Sequence, residues 1–112
     1  MVPTNTDYHR HLLSLIQVVE HALSTVCNLA AGSQVAKAHI CDSGLIAPLL
    51  TFLAPDGDAH LAQLAALSLR NLSRHNPSKV EIMRHDGVTT LLGFLNEGLE
   101  TLQYPLHCDV RR

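Results

Sequence analysis

Hydrophobic residues recur at helical spacing along most of this chain. The clearest set occupies positions i, i+3, i+4 and i+7 and comprises Ile46, Leu49, Leu50 and Leu53. This spacing is typical of a helix that buries one face, and the stretch 88–95 repeats it. The same period predicts long helices over about 9–31 and 59–74 and short helices over 34–40 and 77–84. The pattern therefore predicts an all-α fold.

Each long helix is expected to bury one apolar stripe. In the first helix the stripe comprises Val18, Ala22, Val26 and Leu29. In the second it comprises Leu61, Leu64, Ala65, Leu69 and Leu72. The two stripes are similar, so we expect the two helices to have equivalent places in the fold.

Turn and cap residues separate these segments. Glycine follows the first helix at Gly32, and the turn 54–58 combines proline, glycine and the capping residue Asp58. After Gly98 a third long helix is expected, but Pro105 lies where its interior would be, and proline there costs about 3 kcal/mol. We therefore predict an irregular tail over 99–112 and a frayed amino terminus over 1–8.

The pattern occurs twice. The pair Asn28-Leu29 returns as Asn71-Leu72, 43 residues later, and the apolar set of 46–53 returns in 88–95 with an offset of 42. A period of this length is typical of α-solenoids, which generally act as binding surfaces.

The order of short helix, glycine break, medium helix, acidic turn and long helix ending in Asn-Leu resembles the armadillo repeat. The matching segments are 61–73, Asn76-Pro77 and 86–95, with 42–53 and Asn28-Leu29 in the first copy. The resemblance covers about 15–98 and implies a right-handed α-solenoid. The domain of 9–98 would hold one partial, one complete and one partial repeat.

The resemblance also implies a function, which is the binding of an extended peptide along a groove lined by the long helices. In that family the Asn of the Asn-Leu pair holds the peptide backbone, which points to Asn28 and Asn71. Whole helical turns place further candidates on the same faces: Ser24, Glu20, Leu67, Gln63, His60 and Arg74. Nuclear-import receptors of the family carry Trp where this chain has Ser24 and Leu67, which argues against binding of nuclear localisation signals.

An alternative reading is a structural or assembly module. About three repeats are generally needed for a stable solenoid, and this chain carries about two. Its open ends would favour end-to-end stacking or self-association. The alternative role for the amides of Asn28 and Asn71 is to tie neighbouring helices together.

Composition sets the remaining expectations. The net charge of −2 offers no basic field for nucleic acid, although protonation of all eight histidines would reverse its sign. Three cysteines without a pairing motif favour a reducing cytosolic or nuclear setting. No signal peptide and no apolar run of membrane-spanning length are recognised in the sequence.

Neither cofactor, metal nor catalysis is expected from the residues. His9, His11, His107 and Cys108 could ligate zinc only if the chain ends met, and the pair His39 and Cys41 is equally unspecific. The adjacent His107, Cys108 and Asp109 do not form a converging catalytic set, and a glycine-rich phosphate loop is not found. The sequence thus predicts a protein that is not an enzyme and that binds a protein or peptide.

Overall fold

The computed structural model describes the backbone of residues 5–110 and the side chains of residues 6–102. All regular structure in this part of the chain is helical. The helices are α1 (Asn5–Ala30), α2 (Gln34–Asp42), α3 (Ile46–Thr51), α4 (Ala59–Leu72), α5 (Asn76–Arg84) and α6 (Gly87–Val110). The predicted all-α class is confirmed.

Local hydrogen bonds explain where the helices begin. The Ser33 hydroxyl accepts a hydrogen bond from the Ala36 amide at the start of α2. One carboxylate oxygen of Asp58 accepts from the amides of His60 and Leu61, at 2.8 and 3.0 Å, at the start of α4. Amides in the first turn of a helix have no carbonyl acceptor within the helix. The two capping side chains supply that acceptor and so determine where α2 and α4 begin.

The helices repeat in space as they repeat in sequence. Helix α1 packs against α4, and α2 packs against α5. Residues of α3 and α6 line one shared cavity. Each helix thus lies beside the helix that follows it by one period of 42 or 43 residues, and the six helices form two stacked three-helix units.

Helices α1 and α4 run in the same direction. Glu20 contacts His60, and Cys27 contacts Asn71, so later residues of one helix meet later residues of the other. This parallel arrangement is what a translation of the first unit onto the second produces.

The core lies between the two units. The predicted face of 46–53 is confirmed, since its four apolar residues are all buried. The predicted stripe of α4 is also buried, with Leu64 partly so, and Phe52 and Phe94 pack against the same cluster.

The predicted stripe of α1 was wrong at most positions. Val18 and Leu29 are 64% and 53% exposed and Ala22 is exposed as well, whereas Val26 packs partly buried against the core. The buried residues of α1 are Leu23 and Ala30. Helix α1 carries a second apolar stripe, which contains Leu23. Helical spacing alone does not show which of the two stripes packs against another helix. Helix α4 covers the stripe that contains Leu23, and no helix of the described chain covers the one that contains Val18.

The last helix is longer than predicted. Helix α6 continues through Gly98 and Pro105 to Val110, where the sequence predicted an irregular tail, and residues 111–112 lie outside the described part. The equivalent turn of the first unit contains Pro55 and the helix cap Asp58. One period later, Glu97 and Glu100 stand at those positions, and both continue a helix readily.

The amino-terminal helix is also longer. Helix α1 begins at Asn5, so 5–8 are helical, and 1–4 lie outside the described residues. Its segment Thr6–Ala30 is long and apolar enough to cross a membrane by length and composition. This corrects the expectation that no apolar run reaches that length. Core helices of soluble proteins and amino-terminal signal sequences meet the same criterion.

Candidate functional site

The eight predicted binding residues lie on the neighbouring helices α1 and α4 and just beyond the end of α4. We call this set the polar face: Glu20, Ser24, Asn28, His60, Gln63, Leu67, Asn71 and Arg74. The two helices pack together in parallel, so both rows of the face run in the same direction.

One end of the polar face is formed by Glu20 and His60. The carboxylate Oε1 of Glu20 lies 3.4 Å from Nε2 of His60, and both side chains are partly exposed, at 38% and 55%. The contact becomes an ion pair when His60 is protonated. Since it is open to solvent, it contributes little stability and leaves both polar groups accessible to a partner.

The other end is formed by Asn71. Its Nδ2 donates a hydrogen bond to the Cys27 backbone carbonyl on α1, at 3.1 Å, and lies 3.7 Å from the Cys27 Sγ. The amide therefore ties the two helices together, which is the structural role that the sequence left open. Asn71 is half-buried in this arrangement.

The remaining residues of the face differ in exposure. Asn28, Gln63 and Arg74 are exposed, and Ser24 and Leu67 are half-buried. The face carries one carboxylate, one guanidinium and one imidazole, together with four neutral polar side chains and the apolar Leu67. Its charge is therefore mixed.

Three cavities in the described part of the molecule lie elsewhere. One lies between α2 and α5, a second lies between α3 and α6, and a third is an apolar groove of about 420 Å³ beside α4, α5 and α6. None of the eight predicted residues lines any of the three. The polar face therefore lies outside these three cavities.

Sequence reasoning missed the apolar groove, which is lined by Leu69, Ile82, Met83, Val88 and Leu91 among others. The repeat in the sequence contained the information needed to predict it. Where an apolar position recurs in both units, the second unit covers it in the first, but no further unit of the described chain covers it in the second.

Among the side chains that the structure describes, no three metal-ligating residues converge. His107 and Cys108, proposed as ligands with His9 and His11, lie outside the described side chains. Cys27 and Cys41 are free thiols, half-buried and buried respectively.

Comparison with known proteins gives one informative match. The chain is 34% identical over 87 residues to a serine/threonine-protein kinase of Caenorhabditis elegans. That segment is 78% of this chain and 9% of the kinase, so the chain spans less than a tenth of the relative that it matches. No family model and no solved structure matches the chain.

This match corrects the expectation that the chain is not an enzyme. A curated relative carries the name of a catalytic protein, although 91% of that relative lies outside the matched segment. The name is a weak indication of catalysis.

Proposed function

We propose that this chain is a protein interaction module that binds an extended segment of a partner along the polar face. The observation that carries the proposal is the pairing of two parallel helices with polar contacts at both ends of their shared surface. Glu20 and His60 mark one end, and Asn71 marks the other.

The dimensions of the face suit an extended peptide. His60 and Asn71 are 11 positions apart on α4, which corresponds to about 16 Å along the helix axis. An extended chain advances about 3.3 Å per residue, so the face spans roughly five peptide residues. Gln63 and Leu67 lie between the two ends, one helical turn apart.

The chemistry of Asn71 suits backbone recognition. A side-chain amide has two donor hydrogens and one acceptor oxygen, and the contacts of Nδ2 with the Cys27 carbonyl and Sγ use the donor side of the group. The amide oxygen is then able to accept a hydrogen bond from a backbone N–H of a peptide. Asn28 is exposed and carries the same groups on α1.

The helix order and the stacking of units at a period of 42 or 43 residues support an armadillo-like, right-handed solenoid as the architecture behind this function. The match to a segment of a much longer kinase is in keeping with a module that operates inside larger proteins.

The test is a selection from a random-peptide display library on the purified chain, followed by affinity measurement for the best peptide. Gln63→Ala removes a polar group of the face, and Gln34→Ala is a matched control, since both glutamines are exposed and Gln34 lies on α2. We expect Gln63→Ala to weaken binding at least 5-fold, about 1 kcal/mol, and Gln34→Ala to leave it unchanged.

Equal affinity of the wild-type chain and both variants would show that the peptide binds elsewhere. Failure to enrich any peptide over several rounds would also contradict the proposal.

A further inference from the structure

The end of the second unit carries an exposed apolar surface that we call the trailing face: Met83, Val88, Leu92 and Leu95. These side chains are 50–66% exposed. Their equivalents 42 residues earlier are Cys41, Ile46, Leu50 and Leu53, which are at most 7% exposed. The same kind of surface is therefore covered in the first unit and open in the second.

The start of the first unit carries the opposite surface, which we call the leading face: Val18, Ala22, Thr25 and Leu29. All four are exposed. Their equivalents 43 residues later are Leu61, Ala65, Ser68 and Leu72, which are at most 9% exposed. In the second unit this surface is buried in the core between the two units.

The single hydroxyl group of the leading face, that of Thr25, already donates a hydrogen bond within its own helix. Thr25 Oγ1 donates to the His21 carbonyl at 2.9 Å, and its equivalent Ser68 Oγ donates to the Leu64 carbonyl at the same distance. Ser68 is fully buried with this hydrogen bond. Thr25 can therefore be covered in the same way without losing a hydrogen bond.

We propose that the leading face of one copy of this chain packs on the trailing face of a second copy, so that the chains associate head to tail. The contact between the two units inside the chain is the template, and the new contact continues it by one more period. Because the two faces differ, the contact does not close on itself and can extend to further copies.

The charged groups at the rim are compatible with this register. Asp42 of the first unit lines the cavity between α2 and α5 together with Glu81 and Arg84 of the second, where Arg84 pairs with Glu81 at 2.9 Å. Positions 42 and 84 are one period apart, so the same step places Asp42 of the second copy at the equivalent cavity beside Arg84 of the first. The new contact would thus repeat the charged groups that line the existing one.

The described chain does not cover its own trailing face. In the first unit the chain turns at 54–58 and returns as α4. In the second unit α6 continues as a helix through the equivalent positions to Val110. This inference does not depend on the peptide-binding role, because none of the polar-face residues belongs to either apolar face.

The test is the mass of the full chain by light scattering across concentration, with three variants. Val18→Glu blocks the leading face, Leu92→Glu blocks the trailing face, and Leu13→Glu is a control at a half-exposed position about 140° around α1 from Val18. All three positions are helical and at least 49% exposed, and circular dichroism will verify that each variant folds.

We expect the wild-type chain and Leu13→Glu to rise above the monomer mass of 12.2 kDa with concentration. Val18→Glu and Leu92→Glu alone should remain monomeric. An equal mixture of the two should form a heterodimer and nothing larger, since each supplies the face that the other lacks.

A wild-type chain that stays at 12.2 kDa throughout would overturn the inference. Association of the wild type together with a mixture of the two blocked variants that stays monomeric would also overturn it, because that result requires a contact between like faces or between other surfaces.

Discussion

Gly44 and Asp86 lie 42 residues apart and are the two residues of the described chain with positive φ angles, 80° and 57°. Each follows a short helix and precedes the next one. The duplication thus extends to an unusual backbone conformation, and it holds although the side chains at the two positions differ.

Exchanging the residues at these positions should change stability in opposite directions. The left-handed conformation costs an L-residue about 1 kcal/mol and costs glycine almost nothing. Asp86→Gly should therefore raise the free energy of unfolding, and Gly44→Ala should lower it by about 1 kcal/mol. Urea denaturation measures both. Equal effects of the two variants would contradict the assigned backbone conformations.

The junction of α5 and α6 depends on Gly87. A Cβ at this position would lie 2.5 Å from both Cγ2 and the carbonyl oxygen of Ile82. The backbone oxygen cannot move without disturbing α5, so Gly87→Ala should lower the free energy of unfolding by about 2 kcal/mol.

Gly93 is the matched control, because a Cβ there meets no atom within 4 Å and the residue lies inside α6. Gly93→Ala should raise stability by about 0.5–1 kcal/mol through helix propensity. A Gly87→Ala variant as stable as Gly93→Ala would contradict the close approach of the two helices.

Asn71 and Asn28 are equivalent in sequence and differ in surroundings. Asn71 donates to Cys27 across the helix pair, whereas Asn28 is exposed on a helix with no unit before it in the described chain. Asn71→Ala should lower the free energy of unfolding by about 1 kcal/mol. Asn28→Ala should leave it almost unchanged. Thermal denaturation of the two variants side by side decides whether the amide holds the helices together.

The sequence was sufficient for the elements whose signals are local. The apolar set of 46–53 and the cap Asp58 gave correct elements, because spacing and capping act within a few residues. The short helix expected from Pro77 also forms, although it begins at Asn76 and its N-cap is His75.

Two features of the fold could not be predicted from local sequence patterns. The burial of α1 depends on which side α4 occupies, so Val18 was expected to be buried, whereas the structure buries Leu23. The length of α6 depends on the absence of a turn at 96–100. The sequence prediction gave more weight to Pro105 than to the helical spacing of Leu95, Leu99 and Leu102, which continues through this region. Comparison of equivalent positions identifies the missing turn before the end of α6. For α1 it predicts the wrong stripe, because Leu61 and Leu72, the equivalents of Val18 and Leu29, are buried.

The sequence was sufficient to predict which residues of the candidate site share a helix face. It was not sufficient to predict the contacts that these residues make. Helical spacing placed His60, Gln63 and Leu67 on one row. The hydrogen bond from Asn71 to Cys27 spans 44 residues, and its existence depends on the packing of α1 against α4.

The most direct measurement of the peptide-binding role is nuclear magnetic resonance of the side-chain amide groups during titration with a peptide selected on the chain. The account predicts that the amide signals of Asn28, Gln63 and Asn71 shift together, while that of Gln34 on α2 stays in place. Shifts that leave these three groups unchanged and gather instead around Met83, Val88 and Leu92 would contradict it.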